Sequence, residues 1–112
     1  MVGHGRILVG YIAIDYSTTA LATGADTAAL TITKPDGTTV TAVPANVTKI
    51  MLQNSAAADG VRLRAGGQDV AIVGQAAVLE NAGGLMYAGQ AVTARSIVGA
   101  LAVGKLYVAL YN

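Results

Sequence analysis

The apolar stretches of this sequence are short, and glycine, asparagine or aspartate interrupts them every few residues. Segments rich in Val, Ile, Leu, Thr and Tyr recur at a spacing of roughly eight to twelve residues, which is typical of β-sandwiches and barrels. No segment keeps apolar residues at the i, i+3, i+4 spacing over three helical turns. We therefore predict an all-β fold, an antiparallel, jelly-roll-like β-sandwich with about eight or nine short strands in two sheets.

The candidate strands are the segments rich in β-branched and apolar residues. They are residues 6–14, 30–33, 38–41, 47–54, 61–65, 69–73, 76–81, 85–88, 94–98 and 105–111. Because side chains alternate between the two faces of a strand, alternating residues form the predicted core. That core is Ile7, Val9, Leu30, Ile32, Ile50, Leu52, Val61, Leu63, Ile72, Leu79, Ile97, Leu106, Val108 and Leu110. Alanine-rich residues 20–30 and 90–101 could hold a helical turn, so helix is at most a minor component.

Residues 30–41 carry the clearest local signal, that of a β-hairpin. Pro35 fixes the backbone angle φ required at the first central position of a type I turn, and Asp36 suits the second. Gly37 then takes the positive φ that produces a G1 bulge. The flanking segments alternate threonine with apolar residues, which predicts one solvated and one packed face.

Composition and charge exclude several classes of protein. The 112 residues fit one domain and are 54% hydrophobic and only 12% charged, which is not the composition of a disordered chain. The net charge is +1, and Arg62 and Arg64 alone make a weak basic face, so we predict no nucleic-acid partner. With so little charge, we expect other copies or a partner to cover part of the surface.

We predict no membrane partner, since no apolar run approaches the roughly 20 residues that a membrane helix needs. The apolar residues 7–14 contain Gly10 and Tyr11 and lack a small-residue cleavage site. We interpret them as a strand rather than a signal sequence, and the protein as non-secreted. The expected organisation is a flexible N-terminal arm over residues 1–6 followed by a single β-sandwich domain over residues 7–112.

Residues that usually carry catalysis are sparse in this chain. His4 is the only histidine, and no potential metal ligand lies near it in the sequence, so no metal site is expected. None of the serines lies in a nucleophile elbow, and there is no cysteine. We therefore predict no cofactor and no enzymatic activity. A small hydrolase stays open as an alternative if the fold brings Asp15, Asp69 or Glu80 together in a cleft.

Tyrosines are the only aromatic residues of the chain. Tyr107 and Tyr111 are four residues apart and share one face of the last predicted strand, with Leu106, Val108 and Leu110 on the other. These tyrosines either lie at the rim of the sheet in an ordinary packed strand or belong to an interface, where tyrosine is enriched. The candidate partner or oligomer interface is His4, Arg6, Tyr11, Tyr16, Tyr87, Tyr107 and Tyr111.

The second half of the chain has a distinctive order of segments. A strand at residues 48–54 is followed by Val-Arg-Leu-Arg at 61–64, by Val-Leu-Glu-Asn-Ala-Gly-Gly at 78–84 and by a closing strand at 105–111. In this order, residues 47–112 resemble small jelly-roll proteins of tailed-phage virions. These are chiefly capsid decoration (cement) proteins and related head-fibre or tail-adaptor β-sandwiches.

The resemblance implies a virion structural protein without catalytic groups. It implies a homotrimer on the outer capsid surface, seated at junctions between copies of the major capsid protein, which it holds together against internal pressure. Its N-terminal arm, here residues 1–6, would reach neighbouring subunits. The alternative is a phage fibre or tail β-sandwich module that binds a receptor or a carbohydrate, although the chain has no Trp or Phe to stack on a sugar.

Overall fold

The structure, a computed structural model, describes residues 7–45, 47–55, 60–73, 76–80, 88–97, 99–100 and 102–112. These ranges contain strands, turns and irregular segments, and no helix occurs within them. The arm predicted over residues 1–6 lies outside the described residues, as does the strand predicted over 85–88 except for its last residue, which is in a turn.

Nine strands are present in the described part of the chain. They are β1 (Leu8–Asp15), β2 (Ile32–Thr33), β3 (Thr39–Val40), β4 (Lys49–Asn54), β5 (Val61–Ala65), β6 (Gln68–Val73), β7 (Ala76–Glu80), β8 (Val92–Ser96) and β9 (Lys105–Tyr111). The predicted all-β class is therefore confirmed. The bounds of β5 and β9 agree with the prediction, whereas β8 lies two residues before the predicted segment 94–98.

The strands form two antiparallel sheets. The larger sheet has the order β3-β2-β1-β9-β4-β7, and the smaller has the order β6-β5-β8. The first strand therefore lies beside the last, and the chain passes from one sheet to the other after β4, β6, β7 and β8. The two antiparallel sheets, joined by these crossings, form a β-sandwich, as predicted.

An irregular segment, residues 22–30, completes the smaller sheet beside β8. The backbone N–H of Thr27 donates to the carbonyl oxygen of Ala94 over 3.1 Å, and that of Leu30 donates to the carbonyl oxygen of Val92 over 2.7 Å. These bonds satisfy backbone groups on the side of β8 away from β5. The segment therefore takes the place of a fourth strand.

The predicted hairpin is confirmed, although β2 and β3 have only two residues each. The backbone N–H of Lys34 donates to the carbonyl oxygen of Thr38 over 2.8 Å. Gly37 has a φ of 89°, a conformation that a side chain would disfavour. The Asp36 carboxylate accepts hydrogen bonds from the hydroxyl and N–H of Thr38, at 2.6 and 2.9 Å, and these bonds lower the pKa of Asp36.

The core lies between the two sheets and is built from alternating residues of both. Predicted core residues that are buried are Leu30, Ile32, Ile50, Leu52, Val61, Leu63, Leu106, Val108 and Leu110. Val9 and Ile97 are half-buried, and the side chains of Ile72 and Leu79 lie outside the description. Core residues that the prediction missed are Ile12, Tyr16, Leu21, Val43, Val47, Ala65, Val70, Val92 and Ala94.

The predicted core face of β1 is wrong at Ile7, although Val9 packs against the core as predicted. Ile7 is 66% exposed, whereas Ile12 is fully buried. The register between β1 and β9 shifts between Leu8 and Gly10, so a β-bulge inserts one residue and reverses which residues face inward. Gly10 lies close to β2, because a Cβ atom there would be 2.8 Å from Ile32 Cγ2. Only glycine fits this approach without a shift of its neighbours.

Candidate interaction surface

Two of the tyrosines lie on the outward side of the larger sheet, in its central strand β9. Leu106, Val108 and Leu110 are fully buried against the core. Because side chains alternate along a strand, Tyr107 and Tyr111 face outward. The predicted division of this strand into an apolar face and a tyrosine face is therefore confirmed.

Tyr11 joins them from the neighbouring strand β1. Its ring stacks on that of Tyr107, with centroids 5.7 Å apart and planes inclined by 27°. The register places Tyr11 opposite Ala109 and Ala13 opposite Tyr107, so the two tyrosines are diagonal neighbours, which aromatic side chains can bridge. Tyr107 is 41% exposed, so the pair presents apolar ring surface to solvent.

Strand β4 continues this surface on the other side of β9. Met51 pairs in register with Ala109, and Gln53 pairs with Tyr107. Met51 is 37% exposed, whereas Ala109, at an outward position, is only 3% exposed because larger neighbours cover it. We call the surface formed by these residues the tyrosine face: Tyr11, Ala13, Met51, Tyr107, Ala109 and Tyr111.

Charged residues of these strands lie at the ends of the tyrosine face. Lys105 pairs in register with Asp15 at one end, and Lys49 pairs with Tyr111 and with Glu80 at the other. None of the six residues that define the face is charged. An uncharged aromatic centre with a charged rim has the composition of a protein interface.

A shallow hollow of about 290 Å³ adjoins the tyrosine face. Its lining is Ala13, Ile14, Asp15, Lys105, Leu106 and Tyr107. The Ser17 hydroxyl and N–H donate to the Asp15 carboxylate at 2.7 and 2.9 Å, and these bonds lower the pKa of Asp15. Asp15 belongs to the larger sheet and Asp69 to the smaller, and Asp69 does not line the hollow. Asp69 instead forms ion pairs with Arg62 and Arg64 of the smaller sheet.

Tyr16 does not belong to the interface predicted from the sequence. It is fully buried, and its hydroxyl donates a hydrogen bond of 2.8 Å to Asn54 Oδ1, which is itself buried. Burial raises the pKa of Tyr16 above its ordinary value. The ring follows the end of β1 and packs in the core, and a buried tyrosine hydroxyl needs such a partner. A partner molecule cannot contact this side chain.

The other predicted interface residues divide into two groups. The structure brings Tyr11, Tyr107 and Tyr111 to one face of the larger sheet. His4, Arg6 and Tyr87 lie outside the described residues. Met51 was not predicted as a member of this face, although Lys49, Met51 and Gln53 alternate with buried residues of β4, which indicates that they face outward.

The outward side of the smaller sheet carries a network of charges instead. Asp26 Oδ1 lies 2.6 Å from Arg95 Nε and 2.9 Å from Arg64 Nε. Asp69 lies 2.5 Å from Arg64 and 3.5 Å from Arg62. Arg62 and Arg95 are directly opposed across β5 and β8, and the two carboxylates offset the repulsion between these like charges. The network holds residues 22–30 against β8.

In the described part of the chain, no group of three or more His, Cys, Asp or Glu residues is placed to hold a metal ion. Over the same residues, no helix has the length and hydrophobicity needed to cross a membrane. A scan against protein-family models found no match, and searches of curated proteins and of solved structures likewise found none. The candidate site is therefore defined by its geometry alone.

Proposed function

We propose that the chain is a structural protein of a tailed-phage virion, a capsid decoration protein that binds and stabilises the assembled head as a homotrimer. The observation that carries this proposal is the tyrosine face, an uncharged aromatic surface at the centre of the larger sheet of a β-sandwich. The resemblance of residues 47–112 to capsid decoration proteins supplies the biological setting. In that setting the protein lies on the outer capsid surface, and no catalytic step is involved.

The tyrosine face suits contact with the major capsid protein. Burial of Tyr107 and Met51, which are 41% and 37% exposed, removes apolar surface from water and stabilises the contact. Tyrosine adds a hydroxyl at the rim of each ring, which can donate to or accept from a neighbouring subunit. Three copies joined in a trimer bind several lattice subunits at once, so weak contacts combine into a large effective affinity.

A co-sedimentation assay tests the proposal. The wild-type protein is expected to pellet with assembled heads that lack it and to bind unassembled capsid subunits poorly. The double variant Tyr11→Ala/Tyr107→Ala should bind heads at least about ten-fold more weakly, since truncation of central aromatic residues typically costs this much or more. Val103→Ala is the matched control, because Val103 is 81% exposed and does not belong to the tyrosine face.

Two results of this assay would reject the proposal. If the wild-type protein does not pellet with heads, or if the folded double variant binds as well as Val103→Ala, the tyrosine face does not contact a capsid lattice. Thermal unfolding of each variant checks that it is folded.

A second candidate function is a fibre or tail module that binds a receptor or a carbohydrate. The exposed Tyr11–Tyr107 stack favours it, because sugar rings pack on aromatic surfaces. Glycan binding that is retained by Val103→Ala and lost in Tyr107→Ala would support this function. Binding to heads without glycan binding would support decoration.

A further inference from the structure

Sheet edges expose backbone groups that can pair with another chain, and proteins protect them by known devices. Strand β3, at one edge of the larger sheet, is only two residues long. Strand β6, at one edge of the smaller sheet, has a bulge opposite Leu63 and Arg64. The far side of β8 is covered by backbone hydrogen bonds to residues 22–30. Three of the four edges are thus short, bulged or covered.

Strand β7, the remaining edge, carries none of these devices in the described part of the chain. It pairs with β4 over five consecutive residues in an unbroken register, from Gln53 opposite Ala76 to Lys49 opposite Glu80. The strand contains no proline and no lysine, and its one charged residue, Glu80, is at its end. Among the described residues, β4 is its only strand partner. An edge of this kind is a template for strand addition.

We propose that β7 is a self-association surface that pairs antiparallel with β7 of a second copy of this chain. The two six-stranded sheets then join edge to edge into one continuous sheet.

The sequence of β7 favours a second copy in this orientation. With Val78 on the two-fold axis, Ala77 of one copy is opposite Leu79 of the other, and Ala76 is opposite Glu80. Positions that hold small residues are therefore opposite positions that hold larger ones, and the two Glu80 positions are at opposite ends of the pair. A parallel arrangement in register would place those like charges side by side, which is destabilising.

The pairing also continues the surface already described. Strand β7 lies next to β4, which contributes Met51 to the tyrosine face. Joining two β7 strands extends the larger sheets of both copies into a single surface that carries two tyrosine faces. An isologous contact of this kind does not by itself close a trimer, so it would join two trimers or two monomers. Pairing of β7 strands therefore does not depend on whether the protein is a trimeric capsid decoration protein.

Light scattering over a concentration series tests the pairing. The variant Val78→Lys places a charge at the centre of the open edge, a substitution that natural edge strands use against pairing. In the register of β4 and β7, Val78 is opposite Met51, which is partly exposed. The wild-type protein is expected to reach twice the mass of folded Val78→Lys.

Thr39→Lys is the matched control, because Thr39 is exposed on β3 at the opposite edge of the same sheet. It should reach the same mass as the wild type. Hydrogen exchange of wild-type amides 76–80 gives a second readout that needs no variant. Exchange should slow as the concentration rises and the edge becomes paired.

Equal masses for the wild type and Val78→Lys, or amide exchange in residues 76–80 that does not change with concentration, would overturn the inference. A trimer without further doubling would overturn it and leave the proposed function intact. A dimer that is lost in Val78→Lys but does not bind heads would support the pairing of β7 strands and reject the proposed function.

Discussion

Tyr16→Phe removes one oxygen atom from the core and leaves the shape of the ring unchanged. The lost hydroxyl donates a 2.8 Å hydrogen bond to Asn54 Oδ1, and both residues are buried. A buried hydrogen bond of this type contributes about 0.5–1.5 kcal/mol, and leaving a buried acceptor with one donor fewer raises the cost. We therefore expect the free energy of unfolding to fall by about 1.5 kcal/mol.

Urea unfolding, followed by circular dichroism, measures this loss. With a denaturant slope of about 1–3 kcal/mol/M, the midpoint should fall by about 0.5–1.5 M. The same change at Tyr107, which is 41% exposed, is the matched control and should alter the free energy of unfolding by less than about 0.5 kcal/mol. Equal midpoints for the two variants would refute the assignment of Tyr16 to the core and of its hydroxyl to a hydrogen bond with Asn54.

Four further changes test other parts of the structure. Val108→Asp should unfold the protein, because it buries a charge at a fully buried position; a folded variant by circular dichroism would contradict this. Gly10→Ala should cost about 1–3 kcal/mol in urea unfolding, because its Cβ would lie 2.8 Å from a side-chain atom of β2; an unchanged midpoint would show that β2 can move. Asp26→Ala should cost about 1 kcal/mol, and less at high salt, since it breaks partly exposed ion pairs; a loss that does not depend on salt would argue against the network. The pKa of Asp36 is lowered in the folded protein, so its ionised carboxylate stabilises the fold at pH values above its ordinary pKa of 3.8. This contribution is lost as the pH falls through the lower pKa of the folded state. Asp36→Asn should therefore flatten the pH dependence of stability in that acid range, and an unchanged pH profile would contradict the assigned hydrogen bonds.

Local chemistry explains the parts of the fold that the sequence predicts correctly. The turn at Pro35, Asp36 and Gly37 forms from its own residues, and the hairpin follows at the expected position. Strand β5 alternates between buried and partly exposed residues over its whole length, and β9 alternates except at the covered Ala109, so their bounds and core faces follow from the sequence. The outward direction of Tyr107 and Tyr111 on the tyrosine face follows from the same alternation.

Long-range packing explains the parts that the sequence does not predict. The bulge in β1 depends on its register with β9, about a hundred residues later, and this register reverses the face of Ile12. Tyr16 enters the core because Asn54 supplies a hydrogen-bond partner from β4. The ion pair between Asp26 and Arg95 likewise joins residues 69 positions apart, which no local pattern indicates.

Electron cryo-microscopy of heads incubated with the protein tests the central claim most directly. We expect three-fold density on the outer capsid surface, fitted by three β-sandwiches with Tyr11 and Tyr107 turned toward the shell. Heads without added density, or density in which the tyrosine face points to solvent, would contradict capsid binding through the tyrosine face.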